Sequence, residues 1–150
     1  MKKTISRLLI VAALSACQTV SPPPPVTGGL DNEFVLAPVQ TAEIKGTDLS
    51  ITLISVPGDG RCPLDIECTE SGPVTITMEV RVGSGVSQEF VLQAFTDTNG
   101  RVPEGPFEGM QDRVEHDGYL IRVRGVLPFP QTSASGMEEG EYRVSFLVSR

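Results

Sequence analysis

Basic residues, histidine and long apolar runs are all scarce in this chain of 150 residues. Its 12 Lys and Arg face 19 Asp and Glu, which leaves a formal net charge of −7. Nucleic-acid binding is driven by clustered Lys and Arg, so this charge argues against a nucleic-acid partner. No apolar run reaches the roughly 20 residues that a membrane-spanning helix needs, so we expect no such helix in the mature chain. With 39% hydrophobic residues, the chain is still too apolar to be wholly disordered.

Sequence signatures of catalysis are also missing. There is no Gly-x-Ser-x-Gly elbow, no P-loop and no Gly-x-Gly-x-x-Gly turn. The single histidine, His116, precedes Asp117-Gly118 in a polar turn, and we expect it to be solvated rather than catalytic. Nothing selects two of the 19 acids as a carboxylate pair for glycoside hydrolysis. The sequence therefore predicts a protein that is not an enzyme and has no cofactor.

The first 16 residues have the three parts of an export signal. A basic start with Lys2, Lys3 and Arg7 precedes an apolar core over residues 8–14. Small residues then lead to a cleavage point. We therefore expect residues 1–16 to be a signal peptide that is removed on export.

Leu14-Ser15-Ala16-Cys17 resembles the bacterial lipobox, whose cysteine carries a lipid. The resemblance implies that the Cys17 thiol takes a diacylglyceryl group and that a peptidase cuts before Cys17. The new amino terminus is then acylated with a fatty acid such as palmitate, and two acyl chains already anchor a protein stably. Gln18 stands where aspartate would signal inner-membrane retention, so we expect the outer membrane, facing the periplasm, if the source is Gram-negative. The alternative is an ordinary secretory signal with a chance cysteine at its exit.

Removal of the signal peptide would leave 9 basic and 19 acidic residues, a net charge of about −10. Anionic head groups would repel such a protein, so the lipid would have to hold it at the membrane.

Residues 17–31 are expected to comprise the lipidated cysteine and a tether. Pro22-Pro23-Pro24-Pro25 favours an extended polyproline II segment of about 3.1 Å per residue, and Gly28-Gly29 adds flexibility. We expect a stalk that lifts a single domain, residues 32–150, off the membrane. The alternative is a proline-rich ligand for an SH3-type module.

Beyond the tether, the sequence has the two-residue periodicity of β-strands. Apolar and polar residues alternate over 74–82, and Gly83-Ser84-Gly85 joins this run to another over 86–95, which predicts a hairpin. Pro38 requires an edge or a bend in its neighbourhood. Further strands are expected over 34–44 (one or two), 49–56, 119–127 and 142–149, with a long loop over 101–113. About six to eight short strands predict an all-β sandwich.

Glu138, Gly140, Tyr142 and Val144 fall at the spacing of the acid-x-Gly-x-Tyr-x-Cys stretch of immunoglobulin-type domains, with Val144 in the place of the cysteine. In those domains the tyrosine forms a structural corner. The pattern favours an immunoglobulin-like sandwich, with a small β-barrel as the alternative.

Cys62 and Cys68 are the two cysteines that lipidation would leave. An oxidising compartment favours pairing of nearby thiols, so we expect a disulfide that contributes about 2 kcal/mol by loop closure. A redox pair would more commonly be Cys-x-x-Cys, and a zinc site would need more ligands than these cysteines and the remote His116 provide. Carboxylates that could offer oxygens to calcium, without EF-hand spacing, are Asp59, Asp65, Glu67 and Glu70. We favour a solvated acidic loop and no bound metal.

Arg61-Cys62-Pro63-x-Asp65-x-x-Cys68, followed by Gly72, resembles an Arg-Cys-Pro-x-x-x-x-Cys stretch of small, exported, largely uncharacterised bacterial β proteins, many of them lipoproteins. In those proteins a later strand commonly ends in Pro-Tyr-Pro, and Pro128-Phe129-Pro130 stands in that place here. They usually have a tryptophan after the second cysteine, where this chain has Thr69. The resemblance implies the architecture and supplies no activity.

Three aromatic residues beside prolines or turns remain, and they either line a ligand patch or, as we favour, pack over an open sheet edge: Phe107, Tyr119 and Phe129. We therefore expect a membrane-anchored envelope lipoprotein that acts as a binding or structural accessory, with an envelope protein or glycan as partner. One alternative is a periplasmic inhibitor that presents the Cys62–Cys68 loop or residues 101–113 to a protease or lysozyme. The least favoured alternative is a hydrolase.

Overall fold

The protein folds into two β-sheets packed face to face, as seen in a computed structural model that describes residues 21–105, 109–131 and 137–150. Within these residues there are nine strands, namely β1 (Val26–Gly28), β2 (Phe34–Leu36), β3 (Gln40–Ile44), β4 (Leu49–Asp59), β5 (Val74–Val82), β6 (Gln88–Ala94), β7 (Arg113–His116), β8 (Tyr119–Leu127) and β9 (Arg143–Ser149). One sheet has the order β1-β3-β4-β5-β6 and the other the order β2-β9-β8-β7. A 3-10 turn, Glu139–Glu141, precedes β9. The expected all-β sandwich is confirmed, and the two sheets do not close into a barrel.

The alternation read from the sequence creates the core. In β5, every second side chain from Val74 to Val80 is fully buried, while the threonines between them face outward. The inward faces of β8 and β9 supply Ile121, Val123 and Phe146 to the same core. Burial of apolar side chains from both sheets in one cluster is the main stabilising contribution to such a sandwich.

The connections keep sequential strands together. Strands β3 to β6 follow one another within one sheet, and β7 to β9 follow one another within the other. In immunoglobulin constant domains, by contrast, the sheets are A-B-E-D and C-F-G, so the chain changes sheet in mid-sequence. The protein therefore shares the sandwich architecture of those domains with a different strand order.

The most regular strands match the sequence pattern. The bounds of β5 and β8 are those expected, and the region 34–44 divides into β2 and β3 around Pro38 and Val39, where Val39 has a positive φ of 57°. Strand β4 continues to Asp59 through register shifts between Leu53 and Ser55 and between Ser55 and Gly58. Such bulges turn side chains from one face to the other, which explains why this strand is apolar on both faces.

Strand β7 was expected to be part of a loop and a polar turn. Instead, Arg113–His116 pairs with Tyr119–Arg122 of β8 across the turn Asp117-Gly118, both of whose residues have positive φ. This is the geometry of a two-residue hairpin with a primed turn.

The folded domain begins inside the stretch assigned to the tether. Val26–Gly28 forms β1, which pairs in parallel with Ala42–Ile44 of β3. The amide of Asp31 then donates to the carbonyl of Val148, 2.8 Å away in β9. The first strand of the sheet therefore begins at Val26, inside the stretch 17–31 that the sequence assigns to the tether.

The sandwich has two ends, which we name by their connections. At the clip end, β4 and β8 finish and β5 and β9 begin. At the hairpin end lie the turns Gly83-Ser84-Gly85 and Asp117-Gly118. The nine residues of β5 separate the ends by about 30 Å.

Among the described residues, no helix has the length and apolar character needed to cross a membrane.

Candidate functional site

The segment between β4 and β5, residues 60–73, forms a closed excursion at the clip end, which we call the clip loop. Cys62 and Cys68 are joined by a disulfide with their Cα atoms 5.9 Å apart, as expected. At the neck, the Gly60 amide donates to Pro73 O at 2.9 Å and the Gly72 amide to Gly60 O at 2.7 Å. A Cβ on Gly72 would lie 2.9 Å from Gly60 O, so the close approach of the two chains requires glycine there.

Arg61 anchors the clip loop to the other sheet. Its guanidinium makes a bidentate ion pair with Asp59, and Nη1 and Nη2 each donate, at 2.8 Å, to the carbonyls of Val126 and Pro128. The side chain is fully buried, and that of Asp59 is 9% exposed. A buried guanidinium is tolerated when its donors meet a carboxylate and carbonyl oxygens, and this one satisfies both conditions.

The two motifs that resemble the exported β proteins meet at this point. Phe129 of the Pro-Phe-Pro stretch is buried, with its ring centroid 4.9 Å from the Arg61 guanidinium carbon. The amide of Leu64 donates to Pro130 O at 3.1 Å, and the peptide before Pro128 is cis. The Arg-Cys-Pro and Pro-Phe-Pro stretches are thus two halves of one structural junction.

Tyr142 completes the junction from the start of β9. Its hydroxyl donates to Asp59 Oδ2 at 3.1 Å. Burial, with the negative charge of Asp59 as a second cause, raises the pKa of Tyr142 from its ordinary value near 10 to about 12. In an immunoglobulin tyrosine corner the hydroxyl bonds to the backbone a few residues upstream, so here the tyrosine ties the last strand to β4 instead.

The outer surface of the clip loop combines apolar and acidic side chains. Leu64 is 54% exposed and Ile66 is 45% exposed, and they alternate with the exposed residues Asp65 and Glu67. The carboxylates considered as calcium ligands do not converge. Asp59 is engaged by Arg61 and Tyr142, and the described residues contain no group of three His, Cys, Asp or Glu side chains that could hold a metal ion.

A second ionic network joins the chain before β2 to β8 and the long loop. Glu33 accepts hydrogen bonds from Arg101 at 2.7 and 2.8 Å and from Arg124 at 3.3 Å. The bond from Arg101 contributes most to lowering the pKa of the Glu33 carboxyl. Arg124 also contacts Glu104 at 2.8 Å. No local sequence pattern pointed to this network, because Glu33 and Arg124 are far apart in the chain.

The structure places the remaining candidate residues in different surroundings. The side chain of His116 is only 17% exposed and packs edge-on against Phe90, with ring centroids 5.5 Å apart, so the expectation that it lies in solvent was wrong. Tyr119 is buried beneath the guanidinium of Arg150. His116, Tyr119 and Arg150 border a shallow cleft of about 480 Å³ at the hairpin end. Tyr119 and Phe129 therefore serve packing, while Phe107 and Cys17 lie outside the described residues.

The junction residues Asp59, Arg61 and Tyr142 were not singled out as a cluster by sequence reasoning. The sequence feature that could have indicated the cluster is the position of Arg61 between the end of a predicted strand and a predicted disulfide. A charged residue there has a constrained backbone on both sides. Comparison with protein-family models, with curated protein sequences and with solved structures found no match to this chain.

Proposed function

We propose that this protein is a lipid-anchored envelope lipoprotein whose β-sandwich acts as a non-enzymatic binding or structural accessory module. Residues 1–16 would be removed and Cys17 would carry the lipid. If the source is Gram-negative, the domain would face the periplasm from the outer membrane. Its partner would be an envelope protein or a glycan rather than a nucleic acid, in keeping with the net charge of −7.

The observation that supports the accessory role is that the buried charged side chains make structural contacts within the domain. Arg61, Asp112 and Arg124 are the buried charged residues of the described chain. Arg61 binds one carbonyl of β8 and one just beyond it, and Arg124 pairs with Glu104 of the long loop. Asp112 pairs with the neighbouring Arg113, which also donates to Gly105 O. Ionisable groups committed to such bonds stabilise a rigid scaffold, which suits a module that presents a surface.

Metabolic labelling with an alkyne-tagged palmitate tests the anchor. We expect the wild-type chain, expressed in a bacterium, to take up the label and to fractionate with membranes, and Cys17→Ser to lose both properties. Cys62→Ser is the matched control and should keep the label, because that cysteine belongs to the disulfide. Labelling that does not depend on Cys17 would contradict the proposed lipid attachment.

Photo-crosslinking in living cells tests the accessory role. A photoreactive residue at Val86, which is 93% exposed at the hairpin end, should give discrete adducts with an envelope component. The absence of any adduct from Val86 and from exposed positions on both sheets would count against a binding role.

One observation favours inhibition as a second candidate function. The clip loop is pre-organised by the disulfide and by Arg61, and it exposes Leu64 near its tip. Rigid loops of this kind bind enzyme clefts at a low ordering cost. If the loop is inhibitory, the protein should slow a protease or lysozyme, Leu64→Asp should abolish the effect, and Val86→Asp should leave it unchanged. Equal effects of both substitutions would reject this alternative.

A further inference from the structure

We propose that the clip end of the sandwich lies against the bilayer surface, with Leu64 and Ile66 in contact with a zwitterionic lipid head-group region. The inference rests on the proposed lipid anchor at Cys17 and goes beyond it, because an anchor alone does not fix which end of a domain faces the membrane.

The first step concerns where the chain enters the domain. Ser21 and Pro23 border the same surface cleft as Pro38, Val39 and Ile54. The side-chain amide of Gln40 donates to Pro24 O at 2.7 Å. The proline run, expected to be a free stalk, therefore lies on the domain surface. It meets that surface at the clip end, where β2 turns into β3.

The second step is the reach of the remaining chain. Four peptide units separate Cys17 from Ser21, and a fully extended chain spans at most about 3.6 Å per residue, or about 14 Å. Ile54, at that cleft, follows Leu53, which pairs with Met78, so the end of β5 at Val82 lies four to five residues, or about 15 Å, farther along the strands, and the hairpin turns lie beyond it. A lipid on Cys17 would therefore hold the clip end closer to the bilayer than the hairpin end.

The third step is the chemistry of the surface that would face the lipid. Leu64 and Ile66 are large apolar side chains, about half exposed, on a loop that the disulfide and Arg61 hold in shape. Asp65 and Glu67 alternate with them, so anionic lipids would be disfavoured and zwitterionic ones accepted. Two apolar side chains bind a membrane weakly alone, but a tether of a few residues supplies a high effective concentration.

The absence of tryptophan from the chain provides a clean probe. We would purify the full lipidated protein with Leu64→Trp, reconstitute it into phosphatidylcholine vesicles, and measure emission with and without brominated acyl chains. The matched control is Val86→Trp at the hairpin end, where the side chain is 93% exposed. We expect at least twofold quenching and a blue-shifted emission for Leu64→Trp, and neither effect for Val86→Trp.

Each outcome bears on the inference. Equal emission of the two variants, in protein that floats with the vesicles, would overturn the orientation while leaving the lipid anchor intact. Quenching of Val86→Trp alone would show the reverse orientation. Protein of unmodified mass that does not float would reject the lipid anchor and the inference with it. If Leu64→Trp does not fold, Ile66→Trp provides the same readout at the neighbouring exposed position.

Discussion

At the scale of single residues, Arg61 makes the contacts with the largest expected effect on stability. Its guanidinium satisfies Asp59 and two carbonyls of the opposite sheet at once, a geometry that depends on a planar fork of donors. Lysine keeps the charge but cannot reach all three acceptors. We therefore expect Arg61→Lys to lower the free energy of unfolding by about 2 kcal/mol, measured by urea denaturation.

The control for this substitution is Arg81→Lys, at an exposed position of β5. A surface change of this kind should alter the free energy of unfolding by less than about 0.5 kcal/mol. Similar effects at both positions would show that Arg61 is not a structural anchor.

Tyr142 gives a second residue-level prediction, in the alkaline range. Its pKa is raised to about 12 in the folded protein, whereas an unfolded tyrosine ionises near 10, so the folded state keeps its proton longer. The resulting stabilisation is present below pH 10 and is lost as the pH rises towards 12. Wild-type stability should therefore fall over this range, and Tyr142→Phe should flatten the fall. An unchanged slope would contradict a buried hydroxyl bonded to Asp59.

The structural roles of Arg61 and Tyr142 could not be predicted from the sequence, although each residue lies in a recognisable motif. Arginine is usually exposed, and the carbonyls that hold Arg61 belong to Val126 and Pro128, more than sixty positions away. A contact of that separation has no local periodicity. The disulfide, in contrast, could be predicted from the sequence, because two close cysteines in an exported chain have few alternatives to pairing with each other.

At the scale of elements, the clip loop is held by both the disulfide and the Arg61 junction. Because the contacts of Arg61 involve no cysteine atom, Cys62→Ser with Cys68→Ser should cost only the loop-closure contribution of about 2 kcal/mol. Far-ultraviolet circular dichroism should keep its β-sheet signal, and urea denaturation should report the loss. Disappearance of the sheet signal would mean that the disulfide, rather than Arg61, secures the junction.

Two loop glycines form a matched pair, Gly100 between β6 and β7 and Gly46 between β3 and β4. Gly100 and Gly46 both have positive φ, 75° and 79°, but a Cβ on Gly100 would lie 2.5 Å from Val126 O, while one on Gly46 would meet open space. Gly46→Ala should cost about 1 kcal/mol for the backbone conformation. Gly100→Ala should cost about 1–3 kcal/mol more, because it displaces the segment bonded to β8. Equal losses in thermal denaturation would contradict this close approach.

The elements that could be predicted are those with sustained alternation. Strands β5 and β8 each contain nine residues, long enough for their period to be distinguished from chance. Strand β7 has four residues, too few for a pattern, and β1 has three, placed directly after a proline run. Short edge strands are determined by the sheet they join rather than by their own sequence.

At the scale of the whole molecule, the position of β1 predicts where the chain can be shortened. A chain that starts at Ser21 should fold like the full domain. One that starts at Asn32 should be less stable by at least about 2 kcal/mol, because it loses β1 and the bond from Asp31 to Val148. Urea denaturation of both chains is the test. Equal free energies of unfolding for the two chains would support a domain that begins at Asn32, as the sequence predicts.

Orientation also separates the two proposed functions. A clip loop held against lipid would be shielded from soluble enzymes, so inhibition and membrane contact make opposite demands on Leu64. Under the proposed accessory role, the hairpin end, with Val86 and the cleft beside His116, would instead be the surface turned away from the membrane.

The parallel pairing of β1 with β3 has a mechanical consequence. The chain enters β1 from the clip end, and β9 finishes at the hairpin end. A pull between a lipid at one end and a partner held at the other would act along the strands. The hydrogen bonds between β1 and β3, and those between β2 and β9, would then bear the load in shear, together, instead of opening one after another. The same arrangement that orients the domain would also make it resistant to tension across the envelope.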